Sequence, residues 1–212
     1  MLSVRSALDR IFTPFARRMT RVDPNTLTFL SITVGVLSGA SFALAHLSPV
    51  FSLLAALLVA LSGIADALDG IVARLFARST PWGDFLDHFG DRVTEVAVLA
   101  GLGISPHAWH DVAVVVVVLT LLHSYLGTQW EVSFGRRQYA GAGKAEQFFA
   151  LIAIGVLLWQ QPNAGLAAFG VRIALVNLFL IVLGVATAGA IVFRLRLARR
   201  TASESHNEPA TR

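Results

Sequence analysis

Six apolar stretches, near residues 26–46, 51–74, 83–105, 112–134, 145–161 and 171–195, run along this chain with short polar breaks between them. Each is close to the roughly 20 residues a helix needs to cross the hydrocarbon of a bilayer, so the pattern predicts six transmembrane helices. Ahead of them, Leu8, Ile11, Phe12 and Phe15 recur at helical spacing opposite arginines. That arrangement predicts an amphipathic helix lying in the membrane interface over residues 1–22, kinked or divided at Pro14. Asp23 followed by Pro24 supplies a cap and first-turn pair for the first span. Thr201 to Arg212 is small, polar and charged, and reads as a disordered tail. The expected fold class is an all-α integral membrane protein: residues 1–22 a juxtamembrane helix, 23–200 a single six-helix domain, 201–212 the tail.

Composition supports a membrane protein. With 55% hydrophobic and 14% charged residues, the chain has more apolar surface than a soluble domain of this size can hide. Zero cysteines exclude disulfides and thiolate metal sites. The first 25 residues lack the apolar core of a signal peptide. Lys144 is the single lysine, so the basic charge comes from arginines, and these sort by side. Arg5, Arg10, Arg17, Arg18 and Arg21 precede the first span, Arg74 and Arg78 lie between the second and third, Arg136, Arg137 and Lys144 between the fourth and fifth, and Arg194, Arg196, Arg199 and Arg200 close the sixth. The positive-inside rule then puts both termini and the connection after the second span on the cytoplasmic face of a multi-pass plasma-membrane protein. Basic residues distributed in this way flank spans and do not form a nucleic-acid footprint. Ser31, Gly35 and Gly39, with Gly184 and Ala188, read as close-packing faces, within one subunit or between two.

Five of the eight aspartates, Asp66, Asp69, Asp84, Asp87 and Asp91, fall in one window of otherwise apolar sequence. Carboxylates inside membrane spans are costly unless positive charge meets them. Clustered carboxylate oxygens suit hard divalent cations such as magnesium, manganese or calcium. If the second and third spans form an antiparallel hairpin around Arg78 to Pro81, Asp66 pairs in depth with Asp91 and Asp69 with Asp87. Carboxylates three or four residues apart return to one helix face, about 4.5–6 Å apart along the axis, a spacing that fits a two-metal phosphoryl-transfer site. Gly70 and Gly83 leave room for a phosphate-bearing ligand to approach backbone. Arg74 offers a guanidinium fork and Thr80 a hydroxyl at the mouth. Pinning of helices by salt bridges to Arg74, Arg78 and Arg92, or an ion path, are competing readings of the same acids.

The run Asp-x2-Asp-Gly-x2-Ala-Arg-x8-Gly-x3-Asp-x3-Asp, spelled here by Asp66, Asp69, Gly70, Ala73, Arg74, Gly83, Asp87 and Asp91, resembles the signature of the CDP-alcohol phosphatidyltransferase family without a departure. Pro24-Asn25-Thr26-Leu27-Thr28 looks like that family's lead-in to its first span. The resemblance implies transfer of a phosphatidyl-type group from a CDP-linked lipid to an alcohol hydroxyl, with release of CMP, in phospholipid biosynthesis. It implies two divalent ions, Mg2+ or Mn2+, held by Asp66, Asp69, Asp87 and Asp91, with Asp91 also the general base. It further implies that Asn25, Thr26, Leu27, Thr28, Gly70, Arg74 and Thr80 contact the CDP part of the donor, and that the enzyme is a homodimer.

For the acceptor, Arg136, Arg137 and Lys144 could hold a phosphate, as inositol phosphate or glycerol phosphate would require, or could anchor the loop beside anionic lipid. Members acting on inositol phosphate are expected to carry a lysine shortly after the Ser124-Tyr125 pair, where this chain has Leu126-Gly127-Thr128-Gln129. That run looks more like archaeal-type members, whose donor is an archaetidyl lipid. Two other classes compete: an intramembrane prenyltransferase, which should carry a second acidic motif, and a metal or proton transporter, which should carry acids in the later spans. His88 is expected to pack or bond between helices, His123 and Ser124 to bond between helices, and His107, His110 and Asp111 to sit in an outward loop. Asp84 and Glu95 extend the acidic stripe and could support the metal ligands.

Overall fold

The computed structural model describes residues 4–105, 108–135, 144–163, 165–168 and 171–207. It is mainly helical: α1 (Val4–Ala16), α2 (Pro24–Ala43, continued by a 3₁₀ turn, Leu44–His46), α3 (Val50–Leu75), α4 (Pro81–Ile104), α5 (His110–Phe134), α6 (Lys144–Gln160) and α7 (Leu175–Asn207). By length and composition, four of the described helices suffice to cross a membrane: α2 with its 3₁₀ turn, α3, α5 and α7 as far as Ser203. Helix α4 is as long, but Asp84, Asp87, Asp91, Arg92 and Glu95 make it more polar, and α6 has only 17 residues.

Three features depart from the sequence pattern. The fold is not purely α: β1 (Gly165–Ala168) and β2 (Val171–Ala174) form a two-stranded antiparallel sheet, pairing Gly165 with Ala174 and Ala168 with Val171. The apolar residues from Val171 therefore open as a strand, and α7 begins only at Leu175. Four residues, Val-Arg-Ile-Ala, are too few for their pattern to distinguish strand from helix. At the other end α7 continues to Asn207, so residues 201–207 extend the helix where composition left a disordered tail. Propagating an existing helix costs far less than nucleating one, and neither Pro nor Gly intervenes before Pro209. Residues 208–212 lie outside the described part. Pro14 lies near the end of α1 without dividing it.

Helix α2 is the central strut, packed along both α3 and α4. Its small residues explain this. On the α3 side the Ser31 and Ser62 hydroxyls each donate to the other's carbonyl at 2.9 Å, and Ser38 donates to Ala55 O at 2.9 Å. Such interhelical bonds and close van der Waals contact, rather than hydrophobic expulsion, hold helices together in lipid. On the α4 side a Cβ added at Gly39 would strike the Ala97 carbonyl, and one at Gly101 the Gly39 carbonyl. The two backbones touch there, and backbone cannot yield as a side chain tip can. Gly39→Val is therefore expected to part α2 from α4 and cost roughly 1–3 kcal/mol, read as a lower thermal midpoint of the detergent-solubilised protein. An unchanged midpoint would contradict this seam.

The α3–α4 connection is tightly built. Ala77 takes a left-handed conformation (φ 51°), and Arg78 N donates to Ala73 O at 2.9 Å, closing the end of α3. The Arg78 guanidinium donates to Thr20 O at 2.8 Å and Val22 O at 3.0 Å, which ties the α1–α2 linker to this turn. Thr80 caps α4 by accepting from Gly83 N at 3.0 Å, with Pro81 in the first turn. Ala16, Leu27, Ile71 and Val72 form a small core beneath, which seats α1 against α3.

Candidate active site

Asp66 and Asp69 lie one turn apart on α3, and Asp87 and Asp91 one turn apart on α4. Carboxylate oxygens of Asp66, Asp87 and Asp91, each residue half-buried, all come within 4.8 Å of one another. The depth pairing expected from the sequence thus resolves into a cluster: Asp66 faces Asp87 as well as Asp91. Asp69 is buried (5% exposed) beside it, with Asp66 and Asp87 as its charged neighbours. Its Oδ2 accepts a 2.6 Å hydrogen bond from the Thr28 hydroxyl of α2. An all-oxygen anionic set at this spacing fits a hard divalent cation.

The α4 N-terminus lies at one edge of this cluster. A Cβ at Gly83 would sit 3.2 Å from both Asn25 Oδ1 and Thr80 Oγ1, so the missing side chain lets Asn25 and Thr80 close on that helix end. A Cβ at Gly70 would lie 3.2 Å from Arg74 Nη1. Arg74 itself donates to Asp9 Oδ1 at 3.2 Å, an exposed pair joining α3 to α1. Of the Asn25 to Thr28 segment, Asn25 borders the helix end, Thr26 is exposed, Leu27 packs in the small core and Thr28 engages Asp69.

A cavity of about 300 Å³ opens from Asp66 and Asp91 into the bundle. Its walls include Arg92 and Glu95 of α4, His123 and Ser124 of α5, Gln147 of α6 and Arg194 of α7. Arg194 is 9% exposed, and its Nη1 donates to His123 O at 2.8 Å. A Cβ at Gly127 would lie 2.7 Å from that nitrogen, so glycine makes room for the guanidinium. Arg92 donates to Glu95 Oε2, and Gln147 Nε2 donates to Glu95 Oε1 at 2.9 Å.

Sequence reading missed Arg194 and Gln147 as lining residues. Arg194 looked like one of four arginines anchoring the end of a span, and its only signal was the apolar run directly before it. The predicted acceptor residues Arg136 and Arg137 lie outside the described residues, and of Lys144 only its backbone, opening α6, is described. His88 Nδ1 lies 2.7 Å from Asp84 O within its own helix, and His110 Nδ1 2.6 Å from Gly103 O. His107 is outside the described residues.

Fold and site together define a membrane-embedded helical protein with a carboxylate cluster suited to divalent metal. The chain belongs to the CDP-alcohol phosphatidyltransferase family, whose sequence profile matches residues 21–192, and it is accordingly a transferase of membrane phospholipid biosynthesis. It is 30% identical over 142 residues to archaetidylinositol phosphate synthase of Pyrococcus horikoshii, covering 66% of this chain and 67% of that one. It is 28% identical over 107 residues to CDP-diacylglycerol–glycerol-3-phosphate 3-phosphatidyltransferase of Haemophilus influenzae, covering 49% of this chain and 58% of that one. Its fold is similar to that of Mycobacterium tuberculosis phosphatidylinositol phosphate synthase with CDP-DAG bound, at a TM-score of 0.69 and 24% identity over 88% of this chain and 92% of that one. Family membership displaces the prenyltransferase and transporter readings of the aspartates.

Proposed function

We propose that this chain transfers a phosphatidyl or archaetidyl group from a CDP-linked lipid to the hydroxyl of a phosphate-bearing alcohol, releasing CMP. The observation that carries this reading is the continuity of the site. The carboxylates of Asp66 and Asp91 open into the same cavity that the buried Arg194 lines. One end suits a metal-bound diphosphate and the other an anionic acceptor such as glycerol phosphate or inositol phosphate.

Asp66, Asp69, Asp87 and Asp91 would hold two divalent ions, Mg2+ or Mn2+; bound there, such ions neutralise the diphosphate and the departing CMP. Thr28 occupies one oxygen of Asp69 and orients the other. Asp91, on the cavity wall, takes the proton of the acceptor hydroxyl. The acceptor oxygen bonds to the phosphorus nearest the lipid as that phosphorus's bond to CMP breaks. Asn25, Thr80, Gly70 and Gly83 shape the nucleotide end, with Thr26 beside them. Arg74 exchanges Asp9 for a phosphate oxygen, because an exposed ion pair contributes only about 0–1 kcal/mol.

The same reading makes α2 to α7 six membrane spans, residues 1–22 the interfacial segment, whose helix α1 ends at Ala16 rather than running to residue 22, and residues 23–200 the catalytic domain. Its arginine-rich end, with both chain termini, faces the cytoplasm of a plasma membrane. Assembly as a homodimer completes it on family resemblance. The test supplies purified protein with CDP-diacylglycerol or CDP-archaeol, Mg2+ or Mn2+, and inositol phosphate, glycerol phosphate, inositol or serine, and identifies the lipid product by mass. CMP release is expected only with a phosphate-bearing acceptor, lost with EDTA and restored by either ion. Turnover with the unphosphorylated alcohols alone, or turnover that survives chelation, would overturn the proposal.

A further inference from the structure

We infer that Glu95 and Gln147 are the elements that read the acceptor's hydroxyl groups, and that Arg92 is a positioning residue linking them to Asp91. The inference rests on the cavity being the acceptor's place. Glu95 lies one turn beyond Asp91 on α4, with its side chain 13% exposed on the cavity wall. A carboxylate this deep needs donors, and two are present: Arg92 on Oε2 and Gln147 on Oε1 at 2.9 Å. Two donors leave further acceptor capacity, because an ionised carboxylate offers about four lone-pair sites.

The Gln147–Glu95 bond joins two helices that lean on different neighbours. Helix α4 packs mainly on α2, and α6 mainly on α3. The bond therefore reaches across the cavity and does not merely reinforce a helix seam. A hydroxyl both donates and accepts, so it can donate to Glu95 and accept from the Gln147 amide. An acceptor whose phosphate is held at Arg194 and whose reacting hydroxyl points to Asp91 must present its remaining hydroxyls to this wall. The wall accordingly fits a polyol monophosphate. Arg92 completes the link, its Nη2 3.7 Å from Asp91 Oδ2 while Nη1 holds Glu95. Occupancy at Glu95 thus bears on the cation beside the general base.

The test uses the purified full chain with CDP-diacylglycerol and whichever of inositol phosphate or glycerol phosphate the wild type prefers. Gln147→Met is expected to raise the KM for that acceptor about tenfold, with the KM for the CDP-lipid held within about twofold. Glu95→Gln is expected to lower kcat as well, by about tenfold, because Arg92 loses its carboxylate and swings toward Asp91. Gln147→Asn, which keeps the amide but shortens its reach, gives the same acceptor-selective rise should Gln147→Met fail to fold. An unchanged acceptor KM in the Gln147 variants, or acceptor and donor KM rising together, would overturn the inference. A wild-type protein releasing no CMP with any acceptor would overturn the transfer reading instead.

Discussion

Asp66→Asn, Asp87→Asn and Asp91→Asn are each expected to reduce CMP release more than about a hundredfold. Loss of a group merely supporting a metal ligand already costs 10–100-fold in affinity or activity, and these three present their oxygens directly to one another within 4.8 Å. The amide removes one anionic oxygen and turns an N–H toward the site, so metal affinity and diphosphate neutralisation fall together. Asp69→Asn should behave alike, though the Thr28 hydroxyl can still bond its remaining oxygen. Folding provides a separate control. Carboxylates crowded this closely repel one another when no cation is bound, so in chelator the three Asn variants should melt no lower than wild type. Undiminished CMP release in all of them would end the metal-centre reading, whereas lost activity with a lowered midpoint in chelator would point to structural pinning instead.

Arg194→Gln is the second large effect. Removing a buried guanidinium from a phosphate partner costs on the order of 2–5 kcal/mol, so the KM for a phosphate-bearing acceptor should rise about a hundredfold, with the CDP-lipid KM little changed. Arg194→Lys should recover only part of this, because an ammonium lacks the planar fork and would not reproduce the bond to His123 O. Steady-state kinetics with varied acceptor at saturating donor measures the effect. An unaltered acceptor KM would place the acceptor elsewhere and return attention to Arg136, Arg137 and Lys144.

The metal-binding half of the site was legible because its residues sit close in sequence on two adjoining helices. Three- and four-residue spacing dictates which carboxylates share a face, and Asp23-Pro24 announces the start of its helix through local capping chemistry, whereas the cap that Thr80 makes on α4 emerged only with the fold. The acceptor half was not legible. Arg92, Glu95, His123, Gln147 and Arg194 come from four helices, and no local spacing rule relates them. Gly127 illustrates the difficulty: in sequence it is one glycine in an apolar helix, and only the fold shows that it makes room for Arg194. The same holds for Thr28, whose position suggested a nucleotide contact and whose hydroxyl the fold gives to Asp69.

Residue order alone determined a helical membrane protein, the meeting of two pairs of carboxylates across one hairpin, and the family, since hydropathy, helical periodicity and a fixed motif are local properties. Tertiary structure alone decided that α2 is the strut between α3 and α4, that the carboxylates open into a polar cavity, and that Arg194, Glu95 and Gln147 line it. Those relations depend on how distant helices pack, which in lipid is set by small residues and interhelical hydrogen bonds rather than by any periodicity one helix carries.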